Sequence, residues 1–119
     1  MNLLLKSQYE RLLNNGRIRQ TFNDDGKAEP DFLPVVKLFT PDAQCTWLLS
    51  ELDPDEPDIA FGLCDLGMGT PELGSVSMSE LASVRGLLGL PIERDKYFVA
   101  TKTISAYAAE ARGIGYIKT

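Results

Sequence analysis

Histidine is absent from the 119 residues of this sequence. A Ser-His-Asp triad and a Cys-His pair each need an imidazole as the base, so the chain can form neither. Zinc sites that use histidine ligands are excluded for the same reason. Catalysis by this chain would therefore depend on carboxylate, lysine, tyrosine or thiolate groups.

Long apolar segments are also absent. Near the N-terminus only the run Leu3-Leu4-Leu5 is purely apolar, whereas a membrane helix needs ~20 residues and the core of a signal peptide ~7–15. The sequence therefore predicts neither a signal peptide nor a membrane span. We expect the protein to act in the cytoplasm, without membrane association.

Basic residues are in the minority. The chain has 12 lysines and arginines against 17 aspartates and glutamates, which gives a net charge of −5. A protein that binds a phosphate backbone needs clustered positive charge, so we expect a protein partner or a small ligand rather than nucleic acid. An acidic mimic of DNA fits the sign of the charge, but its carboxylates would be spread along a surface rather than gathered at one turn.

Only two cysteines are present, Cys45 and Cys64. In a reducing compartment the expected state is a pair of buried free thiols. Two sulfur ligands cannot complete a tetrahedral zinc site without carboxylates or a second chain, and we predict no metal site and no cofactor. A redox role for the two thiols is the alternative.

Length and composition predict one α+β domain over residues 1–119, with 44% hydrophobic and 24% charged residues. Four segments have the composition of strands, and turn residues separate them. They are residues 35–39, 45–52, 59–66 and 73–78. Because short connections force neighbouring strands to be antiparallel, we predict a β-meander of about four strands with about three helices packed on it.

Capping and periodicity predict the helices. The first helix begins at a capping box formed by Ser7 and Glu10 and ends at Gly16. A polar loop follows as far as Pro34, with a short strand at residues 18–22.

Two further helices follow the strands. One begins at a capping box formed by Ser77 and Glu80 and continues along an apolar stripe. The stripe consists of Leu81, Val84 and Leu88. The other spans residues 103–112 and ends at Gly113.

The turn at residues 53–58 sets the register of the second hairpin. Centring the hairpin there predicts the pairs Trp47 with Cys64, Leu49 with Gly62, and Glu51 with Ala60. Centring the next hairpin near Gly69 predicts Gly74 beside Cys64 and Val76 beside Gly62. The Trp47 ring would then lie over Gly62 and Gly74. The opposite face would carry Leu48, Leu52, Ile59, Phe61 and Leu63. Both faces are apolar, so we expect both to be covered.

The stretch ELDPDEPD places five carboxylates in eight residues. Its prolines cannot donate to a strand ladder, so we interpret residues 53–58 as a turn whose carboxylates point to water. Asp53 and Asp55 resemble the beginning of a calcium loop, but that loop needs glycine at position six and glutamate at position twelve. Asp58 and Cys64 occupy those positions, so calcium binding is not predicted.

Glu51 lies on a strand, on the predicted face of Trp47 and near the start of the second helix. There it would stabilise the helix dipole or act as a pocket carboxylate. Glu72 would share that face, but the register separates the two by six residues, roughly 20 Å. Paired glycosidase carboxylates are ~5–9.5 Å apart, so we do not predict an acid–base pair.

Arg94 lies between two carboxylates, Glu93 and Asp95. We interpret the group as a local salt bridge that closes a loop. Anion binding by Arg94 is the alternative, and the adjacent negative charges oppose it.

Three phrases of the sequence are distinctive: TWLLSELDP, ELASVRGLLGLPIERD and TISAYAAEARG. Together they resemble the bacterial domain-of-unknown-function family 2958, and the last fits its alphaproteobacterial type. The resemblance covers nearly the whole chain and is weakest in residues 17–34. It implies a small cytoplasmic bacterial protein, often encoded on mobile elements, with no established activity. The positions to which it points as a candidate site are Trp47, Glu51, Glu72, Glu93, Arg94 and Asp95.

Two functions are compatible with the sequence. The first is a non-enzymatic accessory module that binds a protein or a small ligand. The alternative is a carboxylate-dependent, metal-assisted hydrolase or nuclease. Its candidate ligands are Glu51, Glu72, Glu93 and Asp95, of which at least three would have to converge within a few ångströms.

Overall fold

A five-stranded antiparallel sheet lies between helices on its two faces. The computed structural model describes residues 3–119. In chain order the elements are α1 (Lys6–Asp24), β1 (Val36–Phe39), β2 (Thr46–Leu52), β3 (Ile59–Asp65), β4 (Glu72–Ser77), α2 (Met78–Ser83), β5 (Glu93–Arg94) and α3 (Ile104–Ile114). The strand order is β4-β3-β2-β1-β5. The α+β fold and the four-strand meander are confirmed. The fifth strand, β5, is not predicted, because two residues are too few to show a periodic pattern.

The start of α1 differs from the prediction. Ser7 and Glu10 do not cap the helix, because both already lie inside it. Instead, Gln8 Oε1 accepts a hydrogen bond from the Leu5 N–H (2.9 Å). A side-chain amide therefore satisfies the backbone at this end of the helix.

Gly16 does not end α1. The helix continues to Asp24, so the loop and the short strand predicted at residues 18–22 are wrong. A Cβ on Gly16 would lie 1.9 Å from the carbonyl oxygen of Leu52, which is closer than two such atoms can approach. The glycine is there because the helix backbone contacts the end of β2.

The helix start predicted at Ser77 is confirmed, but among the described residues only the Ser77 half of the predicted capping box is present. Ser77 Oγ accepts a hydrogen bond from the Glu80 N–H (3.2 Å). The helix is nevertheless shorter than predicted: α2 ends at Ser83 because Val84 has an extended conformation. The predicted stripe therefore does not reach Leu88, which is exposed.

Helix α3 is confirmed with a small change of boundary. It spans Ile104–Ile114, and Gly115, with a φ of 89°, ends it instead of Gly113. Only a positive φ of this kind requires glycine at the end of a helix, and sequence alone does not distinguish the two glycines.

A β-bulge separates Leu49 from Glu51 in β2. Before the bulge the predicted pairs are confirmed, Trp47 with Cys64 and Leu49 with Gly62. Beyond the bulge the pairing shifts by one residue, so Glu51 lies opposite Phe61 rather than Ala60. A shift of one residue reverses the direction of a side chain. Glu51 therefore shares the side of Phe61, and its predicted place on the Trp47 face is wrong.

The same shift moves Leu52 to the face of Trp47, because Leu52 now lies opposite Ala60. The third hairpin is offset by two residues from the prediction. Its pairs are Gly62 with Gly74 and Ala60 with Val76. An offset of two keeps each side chain on its predicted face.

Both faces of the sheet are covered, as predicted. On one face α1 and α2 pack on a cluster that includes Trp47 and Leu49. On the other face α3 packs on Leu48 and Leu63. Within residues 3–119, no helix is both long enough and apolar enough to cross a membrane.

The ring of Trp47 does not account for the two glycines predicted beneath it. A Cβ on Gly74 would meet no atom within 4 Å. A Cβ on Gly62 would lie 2.0 Å from the carbonyl oxygen of Leu48. Gly62 is therefore needed where the backbones of β2 and β3 approach closely, next to the bulge.

Candidate functional site

A pocket of about 370 Å³ lies beside the β-bulge. Its walls come from the C-terminal half of α1 and from β2, β3 and β4. The charged residues that line it are Arg19, Glu29, Glu51, Asp53 and Asp55. Ligand pockets are typically ~300–1,000 Å³, so this pocket has the volume for a small ligand or a single side chain of a partner.

Two contacts hold α1 against the bulge. Asn15 Nδ2 donates a hydrogen bond to the carbonyl oxygen of Ser50 (2.9 Å). Ser50 is the residue of β2 at which the pairing with β3 shifts. One residue later, Gly16 contacts the backbone of Leu52. Because these contacts fix the helix, Arg19 projects from the next turn into the wall of the pocket.

Arg19 bridges two carboxylates. Its Nε donates to Glu51 Oε2 (2.5 Å), and its Nη1 pairs with Glu29. The guanidinium also lies 5.4 Å from the centre of the Phe61 ring, within the range of a cation–π contact. Burial alone would lower the pKa of Arg19, but the hydrogen bonds with Glu51 and Glu29 outweigh it, so the pKa is raised.

Glu51 has one carboxylate oxygen bonded and the other without a partner. The residue is 5% exposed, and its Oε1 is buried with no hydrogen-bond partner among the described residues. Buried polar atoms are hydrogen-bonded in the great majority of cases, and an unsatisfied one costs ~1–3 kcal/mol. A donor from outside the chain would satisfy Oε1.

The acidic turn at residues 53–58 forms part of the rim, and its carboxylates are exposed as predicted. The Asp55 N–H donates to Asp53 Oδ1 (2.9 Å). Asp55 Oδ2 accepts a hydrogen bond from Gln20 Nε2 (2.9 Å). The turn is therefore linked to α1 across the mouth of the pocket.

Asp58, at the end of this turn, has a structural role. Its carboxylate accepts hydrogen bonds from Ser77 Oγ (2.6 Å), the Ser79 N–H (2.9 Å) and Ser79 Oγ (2.9 Å). The hydrogen bonds from Ser77 and Ser79 hold the pKa of Asp58 below its ordinary value. Asp58 therefore connects the hairpin to the start of α2 and takes no part in the pocket.

The structure does not bring the six candidate residues together. Trp47 is in the core, and Glu51 is in the pocket. Glu72 is exposed on the edge strand β4, opposite Cys64. The partners of Glu51 and Glu72 on β3 are Phe61 and Cys64, three positions apart. The separation of the two glutamates along the strand direction is therefore roughly 10 Å rather than 20 Å, and they point to opposite faces of the sheet. They do not form an acid–base pair.

The remaining three candidates, Glu93, Arg94 and Asp95, lie at the opposite edge of the sheet. Arg94 Nη1 donates to the carbonyl oxygen of Leu3 (2.9 Å). Asp95 pairs with Lys37 of β1 (3.6 Å). The interpretation as a local salt bridge is therefore wrong, because the Arg94 and Asp95 side chains bond to distant segments and hold β5 in place.

The carboxylates of the metal-assisted alternative are dispersed. Glu72 and Glu93 lie on opposite edge strands with three strands between them, and Glu51 is on one of those three strands. Within residues 3–119, no group of three or more acidic or cysteine side chains is placed to hold a metal ion.

The two cysteines pack as small apolar side chains. Cys45 and Cys64 are free and half-buried, and both contact the core cluster under α1 and α2. Burial raises the pKa of the Cys64 thiol, so less of it is in the reactive thiolate form. The thiols are free, as expected, but they are half-buried rather than buried.

A larger cavity of about 660 Å³ lies between the start of α1, the β2–β3 turn and α2. Leu4, Leu52 and Met78 contribute apolar wall, and among the described residues Asp58 is the only carboxylate that lines it. In the described part of the chain, none of its lining residues has a buried side-chain atom without a partner. It therefore lacks the open acceptor that Glu51 gives to the smaller pocket.

Arg19 and Glu29 are the site residues that sequence analysis misses, because their segment is predicted as a loop. The helical signal is present but sparse. Leu12, Gly16 and Arg19 are spaced at i, i+4 and i+7, which places them on one side of a helix. Treating Gly16 as a contact residue rather than a stop would have brought Arg19 onto that side.

One family model matches this sequence. It is described as "Protein of unknown function (DUF2958)" and covers residues 3–118, nearly the whole chain. No curated protein and no solved structure gives a match.

Proposed function

This chain belongs to the DUF2958 family of proteins of unknown function, and we propose that it is a non-enzymatic binding module. Its site in this proposal is the pocket beside the β-bulge. The observation that carries the proposal is Glu51, which lines a pocket of ligand size and whose buried Oε1 has no hydrogen-bond partner within residues 3–119. A group that costs stability when left open is satisfied when a ligand donates to it.

Binding is favoured over metal-assisted hydrolysis for a geometric reason. The hydrolase needs at least three carboxylates around one metal ion, and the candidate carboxylates lie on different strands and faces. The pocket instead combines one open acceptor, one fixed guanidinium and an apolar wall. Such a set of groups suits recognition of a shape and a charge.

The cellular setting in this proposal is the bacterial cytoplasm, in some cases with genes on mobile elements. The sequence resemblance supports this setting, and so do the two free thiols, which persist where the surroundings are reducing. The partner in such a setting is a protein or a small molecule rather than a nucleic acid, because the net charge is −5.

A fragment screen by NMR tests the proposal. Backbone amide shifts are recorded for ¹⁵N-labelled protein against a set of small fragments of mixed charge. We expect saturable shifts that map to the walls of the pocket, at Gly16, Gln20, Phe61 and Ser75. The screen is repeated with E51Q, which keeps the shape of the side chain and removes its charge.

The matched control is E56Q, which removes an exposed carboxylate of the same turn that does not line the pocket. Hits should persist with E56Q and weaken with E51Q. Fragments that shift only residues outside the pocket, or none at all, would contradict the proposal.

A further inference from the structure

The lining of the pocket is strongly acidic. Its carboxylates are Glu29, Glu51, Asp53 and Asp55, and Arg19 is the only basic side chain that lines it within residues 3–119. The guanidinium balances one of the four negative charges, and three remain. A concave site with one dominant sign of charge attracts ligands of the opposite sign.

Glu51 turns this general attraction into a specific contact. The side chain lines the pocket while the residue is only 5% exposed, and Oε1 has no partner among the described residues. Oε1 can only accept a hydrogen bond. A hydrogen bond from a charged donor is roughly twice as strong as one from a neutral donor.

A metal ion is a poor occupant, and an organic cation is a better one. Ca²⁺ and Mg²⁺ take about six or more oxygen ligands, and no group of three ligand residues converges in residues 3–119. Ile59, Ala60 and Phe61 give the pocket an apolar wall. A hydrocarbon stem packs on such a wall while its charged end remains among polar groups.

Entry of a ligand involves the rim. Less than 1 Å² of Oε1 is accessible, so a neighbouring side chain must move before a donor can reach it. The hydrogen bond between Gln20 and Asp55 at the rim is exposed, and exposed polar contacts of this kind contribute little stability.

We propose that this pocket binds an alkylammonium or alkylguanidinium group, which donates to Glu51 Oε1 while its stem lies against the wall that contains Phe61. This inference rests on the proposed function and specifies its ligand class. The cation is either a free small molecule or a lysine or arginine side chain of a partner protein, and the two share one chemistry.

The test uses four probes that each contain a four-carbon chain: n-butylammonium, n-butylguanidinium, n-butanol and butyrate. Each is titrated into ¹⁵N-labelled protein at low salt, and amide shifts at Gly16, Gln20 and Phe61 are fitted to a dissociation constant. We expect the two cations to bind at least about tenfold more tightly than n-butanol, which corresponds to ~1.4 kcal/mol. Butyrate should not bind.

Two variants and one control separate the specific contact from general attraction. E51Q should weaken the cations about tenfold or more, because it removes the charged acceptor. D53N changes only an exposed rim charge and should weaken them by about two- to fivefold. E56Q should leave binding unchanged. If E51Q does not fold, the comparison of the two cations with n-butanol on the wild-type protein still tests the inference.

The outcomes distinguish the two proposals. Equal binding of n-butanol and the cations, or cation binding that E51Q leaves unchanged, overturns this inference while leaving a binding pocket in place. Absence of any shift at the pocket with all four probes and with the fragment set overturns the binding function itself. If no probe binds and water alone satisfies Oε1, the binding function is likewise overturned.

A further pair of probes identifies the source of the cation. Capped Gly-Lys-Gly and Gly-Arg-Gly tripeptides are titrated beside the free butyl cations. Tighter binding of a tripeptide supports a partner side chain, and tighter binding of a free cation supports a small molecule. If neither the peptides nor the free cations bind, the inference is wrong.

Discussion

The ion pair of Arg19 and Glu51 is removed from most of the solvent: the two side chains are 19% and 6% exposed. Burial of two charges is unfavourable unless their remaining hydrogen-bonding groups are satisfied. Glu29 satisfies part of Arg19, but Glu51 Oε1 is left open. At the scale of single residues, the ion pair therefore keeps one unsatisfied acceptor, and a ligand that donates to this acceptor would stabilise the protein.

A double-mutant cycle measures this pair. We expect R19Q and E51Q each to lower the free energy of unfolding, and the coupling between them to be about 1–2 kcal/mol, because a hydrogen bond to a charged group contributes ~1.5–3 kcal/mol and the pair is partly solvated. Urea unfolding followed by Trp47 fluorescence gives the four values. Additive effects, with no coupling, would show that the two side chains do not interact in solution.

Asp58 makes stability depend on pH. Its folded pKa lies below the ordinary value of 3.8, because Ser77 and Ser79 donate to it. A group with a lowered folded pKa stabilises the protein above its unfolded pKa, and this stabilisation is lost as the pH falls through the folded value. We expect D58N to be less stable than the wild type at neutral pH and to lose less stability on acidification below about pH 4.

Urea unfolding at several pH values between neutral and acidic measures this dependence. Asp31, whose pKa is lowered by hydrogen bonds from Ser105, should account for part of the remaining loss, so D31N/D58N should be flatter still. A D58N curve parallel to that of the wild type throughout would contradict the role of Asp58.

At the scale of elements, the contact between α1 and β2 builds the site. The bulge directs Glu51 to the side of Phe61, and the absence of a side chain at Gly16 lets α1 approach Leu52. Neither feature alone would place Arg19 beside Glu51. The pocket exists because a helix crosses a strand where the register of that strand changes.

Two helical glycines offer a matched comparison of this contact. G16A should lower the free energy of unfolding by about 1–3 kcal/mol, because the new Cβ would overlap the carbonyl of Leu52. G113A in α3 should raise it by roughly 0.5–1 kcal/mol, because a Cβ there meets no atom within 4 Å and alanine favours the helix. Denaturant unfolding of both variants measures the difference. Equal shifts in the same direction would contradict the close contact at Gly16.

The sequence allowed prediction of the elements that have a periodic or capping signal. Alternation and turn residues located the four long strands, and the Ser77 capping box located α2. The bulge at Ser50 could not be predicted, because nothing local requires an extra residue there. Gly16 leads to the wrong prediction that α1 ends there, because a glycine required by a tertiary contact looks the same in sequence as one that ends a helix.

The candidate site was less accessible to sequence analysis than the fold. Two roles are predicted for Glu51, a carboxylate that stabilises the dipole of the second helix and a pocket carboxylate, and both place it on the wrong face of the sheet. Arg19 and Glu29 were missed because their positions depend on α1 continuing beyond Gly16. Long-range pairing of this kind is set by how elements pack, and a single sequence does not record it.

At the scale of the whole molecule, one sheet supports two apolar clusters. Trp47, the only tryptophan, is 4% exposed and lies under α1 and α2. Leu63 is fully buried on the opposite face, under α3. Because the strands are shared, loss of either cluster should disrupt the other.

This sharing predicts cooperative unfolding. L63A should lower the free energy of unfolding by about 2–5 kcal/mol. Trp47 fluorescence, which reports on the opposite face, should shift its unfolding midpoint together with far-UV circular dichroism. Separate transitions by the two methods would show that the two faces unfold independently.

The most direct test of the central claim is a crystal structure of the protein soaked with millimolar n-butylguanidinium. The central claim is that the chain leaves Glu51 Oε1 open for a cation. We predict a guanidinium nitrogen ~2.7–3.2 Å from Oε1, with the butyl stem against Phe61. An Oε1 that accepts a hydrogen bond from the protein itself, with the probe bound elsewhere or not at all, would contradict the claim.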